Sequence, residues 1–225
     1  MLSVSFEQAS GRDDSQIDRD SLEQPVHRLV VDPLRQLKAS ASAAGFELRI
    51  ASGYRDYERQ LSIWNRKSNG QLPLLDEHGQ PLNAAHLSPR DRLYAILRWS
   101  ALPGGSRHHW GSEVDVYDAA AVDADYRLQL TEAEYAPGGP FAEFSRWLTE
   151  ALPAGDFYRP YRPGAGGVAP EPWHLSYRPL AAACGRAFSD KQLRELIAGS
   201  DMALKQVLLE DFDTLYTEYI GCYLV

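Results

Sequence analysis

Ser106-Arg107-His108-His109-Trp110-Gly111-Ser112-Glu113-Val114-Asp115-Val116-Tyr117-Asp118 is the stretch around which the rest of the chain organises. It follows the break Pro103-Gly104-Gly105, a run that ends whatever element precedes it. Val114, Val116 and Tyr117 are β-branched or aromatic and predict a strand. That strand carries Asp115, seven residues after His108. Imidazole and carboxylate are the donor types of hydrolytic zinc sites, which bind the ion and keep one position open. By chemistry alone His109 rivals His108, and such clusters also arise as ordinary surface features, so the pair by itself assigns no metal.

Toward the C-terminus, residues 156–161 predict a strand, the Gly/Pro-rich run 163–170 a loop, and 171–177 a further strand. The last of these carries Glu171 three residues before His174. Metal-assisted hydrolysis needs such a second carboxylate, outside the metal's own ligands, to accept a proton from bound water. Toward the N-terminus, residues 46–50 alternate apolar and polar as a half-buried strand does, and lead into Ser52-Gly53-Tyr54-Arg55. Asp56 can cap a helix that presents Tyr57, Leu61 and Trp64 on one face and ends near Gly70.

Helical spacing also marks residues 25–44, stopped by Gly45, a helix opened by Ser88-Pro89, and residues 141–152. Residues 71–86 and 119–139 read mostly as loop, and amphipathic helices over 190–198 and 202–219 close the chain. Strands interspersed irregularly with helices predict an α+β fold. The expected organisation is one domain: a polar N-terminal arm over 1–21, a core domain over 22–180, and C-terminal helices over 181–225 packed on it.

The 225 residues can bury one sizeable core. Hydrophobic residues make up 44% and charged residues 24%, which suits a soluble globular protein, and no apolar run approaches the length of a membrane span. The net charge of −8 excludes binding that depends on a general basic surface, nucleic acid above all. Cys184 and Cys222 form no CxxC pair, and two free, largely buried thiols are expected. The opening residues have no basic n-region, apolar core or small-residue cleavage site, so a cytoplasmic protein is expected, or a periplasmic one if a leader has been trimmed.

Three separated motifs occur in one order: Ser52-Gly53-Tyr54-Arg55, then Ser106-x-His108-x-x-Gly111-x-x-x-Asp115, then Glu171-x-Trp173-His174. Together they resemble the VanY-type D-alanyl-D-alanine carboxypeptidases, zinc peptidases that share the hedgehog/DD-peptidase fold. The resemblance spans roughly residues 25–180. It implies a small, mainly antiparallel sheet flanked by helices, and one zinc ion per chain held by His108, Asp115 and His174, which selects His108 over His109. It further implies that Glu171 is the catalytic base and that Arg55, Gln60 and Ser106 line the substrate site. Where the family pattern has a small residue, this chain has Glu113. Its carboxylate either faces solvent or adds negative charge near the metal.

The residues then carry their own alternatives. Arg55 suits bidentate capture of a peptide carboxylate, or a structural ion pair with Asp56 or Glu58. His27, His78 and His86 read as surface histidines, and Trp110 and Trp173 as packing residues. The expected reaction is removal of a C-terminal D-alanine from peptidoglycan peptides, with L,D-cleavage of recycled tetrapeptides favoured by the lack of an export signal. D,D-cleavage of pentapeptides, an endopeptidase and a non-catalytic metal-bound recognition module are the alternatives. Retention of Glu171 weighs against the last of these, and an arginine reading a free carboxylate weighs against the endopeptidase.

Overall fold

Alternation along Glu113–Asp118 sends Val114 and Val116 to one face, where both are fully buried, and Glu113, Asp115 and Tyr117 to the other. The computed structural model describes residues 2–224 and places this strand inside a four-stranded antiparallel sheet. The order is Leu48–Ser52, Glu113–Asp118, His174–Tyr177 and Phe157–Tyr158. Register sets Asp115 opposite His174 and Glu113 opposite Ser176, while Ser52 faces Asp115 from the other neighbour. A one-residue slip would turn each of these side chains to the opposite face, so the apolar alternation also fixes the polar pairs.

The apolar side of the sheet packs under the helices Val31–Ala43, Ala142–Ala151 and Arg178–Ala187, with Leu34, Phe144, Leu148 and Leu180 in its core. A second apolar cluster joins the helices Tyr57–Ser68, Pro89–Trp99, Asp190–Ala198, Lys205–Glu210 and Phe212–Tyr219 around Trp64, Leu93, Ile96, Leu193 and Leu208. A cavity of about 750 Å³ opens where the clusters meet, lined by Trp110 and Trp173 of the first and by Leu97 and Ile220 of the second. No helix among the described residues is long and apolar enough to cross a membrane.

The mixed fold follows the expected pattern, and Asp56 and Ser88 cap their helices through side-chain oxygens as the sequence suggests. Several boundaries differ for local reasons. The helix expected from residue 25 begins at Val31, because Val26–His27 pairs with Ile17–Asp18 and a 3₁₀ turn intervenes. The helix expected over 202–219 breaks at Asp211, whose carboxylate is tied to Arg90 at 2.8 Å. Leu74–Leu75 pairs with Pro81–Leu82 inside the expected loop. The polar arm is anchored: Phe6–Ala9 forms a turn of helix with Phe6 and Ala9 buried, closed by a capping box between Ser5 and Gln8.

Two residue expectations are corrected. Cys184 is buried as expected, but Cys222 lies exposed on the last turn, its thiol directed at the Glu218 carbonyl. His27 is no surface histidine. It is 7% exposed, and its Nδ1 accepts the backbone N–H of Leu29 at 3.1 Å.

Burial, with Arg28 adjacent, pulls the His27 imidazole from 6.5 down to about 4. The unfolded chain therefore takes up a proton that the folded chain refuses, and His27 erodes stability as pH falls from 6.5 toward 4. Between pH 7 and pH 5 the loss is about 2 kcal/mol, or roughly 5 °C of melting temperature. His27→Asn keeps an acceptor for Leu29 and does not titrate. Melting of chelator-treated protein at both pH values should show the acid-induced drop shrinking in His27→Asn, and equal drops would assign the acid sensitivity elsewhere.

Candidate metal centre and substrate cleft

Strand pairing brings Asp115 and His174 side by side, and a turn brings His108 to them. His108 lies in the 3₁₀ turn Arg107–Trp110, closed by Gly111 at φ 65°, and a Cβ at Gly111 would come within 2.7 Å of the His27 nitrogen. Only glycine suits that left-handed, crowded corner. The chain leaving Leu48–Ser52 clamps the turn from below. His108 Nδ1 donates to the Gly53 carbonyl at 2.8 Å, and the Arg55 N–H donates to the His108 carbonyl at 3.1 Å.

His108, Asp115 and His174 are buried, and one donor atom from each lies within 4.8 Å of the others. His108 Nε2 is 3.5 Å from Asp115 Oδ2, and His174 Nδ1 is 3.1 Å from Asp115 Oδ1. The second approach is too poorly aimed to be a hydrogen bond, and both atoms are left enclosed without a partner. With Nδ1 of His108 donating to Gly53, its Nε2 lone pair faces the cluster. With Nε2 of His174 engaged by Glu113 at 2.8 Å, its Nδ1 also faces the cluster and offers a lone pair there in the neutral ring. Two imidazole lone pairs, one carboxylate and orphaned buried atoms fit a divalent zinc-type ion with a vacant fourth position.

The electrostatics differ from group to group: the carboxylates favour positive charge on His174, whereas burial disfavours it on His108. Burial pushes the His108 imidazole down to about 4. Burial would lower His174 as well, but Asp115, Glu113 and Glu171 around it carry it well above its ordinary range. Asp115 is held below the usual carboxylate range, since the neighbouring His108 and His174 outweigh its burial. Burial lifts Glu171 above that range despite His174 nearby.

Glu171 sits just before the strand His174–Tyr177, in the turn that ends the Gly/Pro-rich loop, and its Oε2 is 3.2 Å from His174 Nδ1. Its side chain is 18% exposed, toward the cleft. The loop behind it rests on the end of the chain. Gly167 N–H donates to the Glu218 carbonyl at 2.8 Å, and a Cβ at Gly167 would lie 2.4 Å from the Tyr219 ring.

Arg55 and Ser106 line the same cleft. Arg55 has no carboxylate within 4 Å among the described residues, so the ion pair with Asp56 or Glu58 does not form. It donates instead to Gln60 Oε1 at 2.8 Å, and Gln60 Nε2 donates to the Ala101 carbonyl at 2.6 Å. Gln60 is fully buried and stands behind Arg55, away from the cleft surface. Ser106 is 1% exposed and its Oγ has no partner. His109 lies outside the cluster, because its Nδ1 donates to the Arg55 carbonyl at 2.6 Å and its Nε2 accepts the Gly104 N–H at 3.0 Å.

Glu113 is the residue whose direction the sequence left open. It points inward and is fully buried, reaching Arg107, Ser112, His174 and Ser176. The signal that could have placed it is the strand period itself, which puts residues 113 and 115 on one face.

Residues 23–180 match the family described as "VanY: D-alanyl-D-alanine carboxypeptidase". A Haemophilus influenzae protein is 37% identical over 121 residues, covering 53% of this chain and 92% of its own length. The D-alanyl-D-alanine carboxypeptidase of Enterococcus faecalis is 30% identical over 153 residues, 67% of this chain, and the chain spans 47% of that enzyme. A variant of the vancomycin-resistance D,D-pentapeptidase VanY in complex with Zn(II) superposes with a TM-score of 0.51 at 25% identity, covering 85% of this chain and 88% of that one. The LdcB LD-carboxypeptidase shares the fold at a TM-score of 0.54 and 19% identity, covering 88% of this chain and 78% of that one. Because the family match runs through all four strands of the sheet and every residue of the His108, Asp115 and His174 cluster, the chain belongs to the VanY D-alanyl-D-alanine carboxypeptidase family.

Proposed function

We propose that this protein is a zinc-dependent carboxypeptidase that removes the terminal D-alanine of peptidoglycan peptides, with His108, Asp115 and His174 holding the ion. The observation that carries the reading is the buried cluster of two imidazole lone pairs and a carboxylate at the floor of a cleft that also presents Glu171 and Arg55. The Zn(II) complex of the related VanY structure supports the choice of metal. A bound zinc ion supplies a water of pKa near ~7 and a Lewis acid for the scissile carbonyl.

The chain's own groups do the rest. Glu171 accepts a proton from the attacking water and returns it to the departing amine, and its upward-shifted pKa makes it a stronger base than an exposed glutamate. Arg55, oriented by Gln60, pairs with the terminal carboxylate and restricts cleavage to the chain end. The unpartnered Ser106 hydroxyl is free to hydrogen-bond the substrate. Trp110 and Trp173 wall the cleft and keep bulk water from the reacting atoms.

Removal of a terminal D-alanine is common to L,D- and D,D-carboxypeptidases. Of the two, we propose L,D-cleavage of tetrapeptides. Mass spectrometry of products from tetrapeptide, pentapeptide and intact sacculi, run beside elemental analysis, separates the readings. One zinc per chain and loss of one D-alanine from the tetrapeptide are expected. Loss from the pentapeptide alone would make the enzyme a D,D-carboxypeptidase, and cleavage within sacculi an endopeptidase. Zinc-free protein with activity indifferent to chelator would remove the metallopeptidase reading altogether.

A further inference from the structure

We propose that Glu113 is a positioning residue for the metal site: it accepts the Nε2–H of His174 and thereby fixes Nδ1 as the donor atom, while Arg107 holds Glu113 in place. The inference rests on the assignment of His174 as a metal ligand. Its starting point is register. Asp115 faces His174 and Glu113 faces Ser176, one pair along the same side of the sheet, so Glu113 lies diagonal to His174 and within reach of its far nitrogen.

The carboxylate is divided in its duties. Oε1 takes three donors, Ser112 Oγ and Ser176 Oγ at 2.7 Å each and Arg107 at 3.2 Å. Oε2 is left to His174 alone, at 2.8 Å. Arg107 is as enclosed as its partner, with side-chain exposures of 3% and 0%. Its guanidinium lies 4.4 Å over Trp110, donates to Tyr158 Oη at 2.8 Å and Ser176 Oγ at 2.7 Å, and reaches the Tyr223 carbonyl.

A buried ion pair is by itself weak evidence of a role in stability. Apolar residues of matching volume commonly replace buried ion pairs without loss of fold. What they cannot supply is an acceptor for the second nitrogen of a metal-binding histidine, the contact that sets tautomer and ring orientation and raises ligand basicity. Glu113 supplies that contact from the strand that also supplies Asp115, so ligand and orienting group move as one body.

The test is zinc affinity by chelator competition in the full chain, for wild type, Glu113→Leu, Glu113→Gln and the double variant Arg107→Met with Glu113→Leu. The double variant removes the unpaired guanidinium, and melting of the zinc-free proteins identifies the folded ones. Glu113→Leu and the double variant should bind zinc about 10- to 100-fold more weakly than wild type. Glu113→Gln retains an acceptor oxygen and should recover much of that loss, which a role limited to the Arg107 ion pair would not produce. A double variant within twofold of wild type, or a Glu113→Gln no tighter than Glu113→Leu, would overturn the proposal. Wild-type protein that binds no zinc would instead sink the metal-site assignment, a result recognisable before any variant is measured.

Discussion

Glu171→Ala should keep its zinc and its melting temperature while kcat falls by about 10²- to 10⁴-fold, the usual contribution of a general acid-base group. The geometry separates the residue from the ligand set. Glu171 lies outside the three-residue cluster and opens toward the cleft, so its removal deletes no donor atom and leaves no internal charge unpaired. His174→Ala is the contrasting variant, and it should lose the metal. Zinc content and kcat measured on both give the answer directly. Near-normal kcat in Glu171→Ala would require another base, and Glu113 is a poor substitute, since it is fully buried and both its oxygens are occupied.

Arg55→Ala should weaken transition-state binding by about 2–5 kcal/mol, because it leaves the substrate's carboxylate desolvated and without its partner. The free enzyme supports this expectation. Arg55 is half-buried, its guanidinium pulled down in pKa by that burial, and Gln60 and Ser52 contact it without neutralising it. Amidating the substrate's C-terminus should cost the wild type a similar amount. Combining the two changes should cost far less than their sum, since each removes the same interaction. Strictly additive losses in kcat/KM would place Arg55 in another role, and an amidated peptide cleaved as fast as the free acid would show that the enzyme does not read a chain end.

Much of this molecule is legible in its sequence. The alternation Val114, Val116 announced the central strand, and capping oxygens at Asp56 and Ser88 announced two helices, because these signals are local. The motifs around His108, Asp115, Glu171 and His174 converge in space. What stayed hidden depends on distant partners. The helix Arg178–Ala187 carries small alanines in place of a bold apolar stripe, and it is buried because the sheet lies beneath it. Arg90, more than a hundred residues away, pairs with Asp211 at the helix break, and the turn at Gly111 packs against His27. Gln60 shows the same limit within the site. The resemblance implies that it lines the substrate site, and only packing reveals that it touches Arg55 and not the cleft.

The hydrogen bond from Arg107 to the Tyr223 carbonyl joins residues 116 positions apart, and that span orders events in time. Contacts so distant in sequence carry a large loop-closure cost before they are made. On the ribosome, all three imidazole and carboxylate donors emerge well before the residues near 218–223 that brace Arg107 and the loop leading to Glu171. A nascent chain therefore carries the His108, Asp115 and His174 side chains before the segment that braces Arg107 has been made.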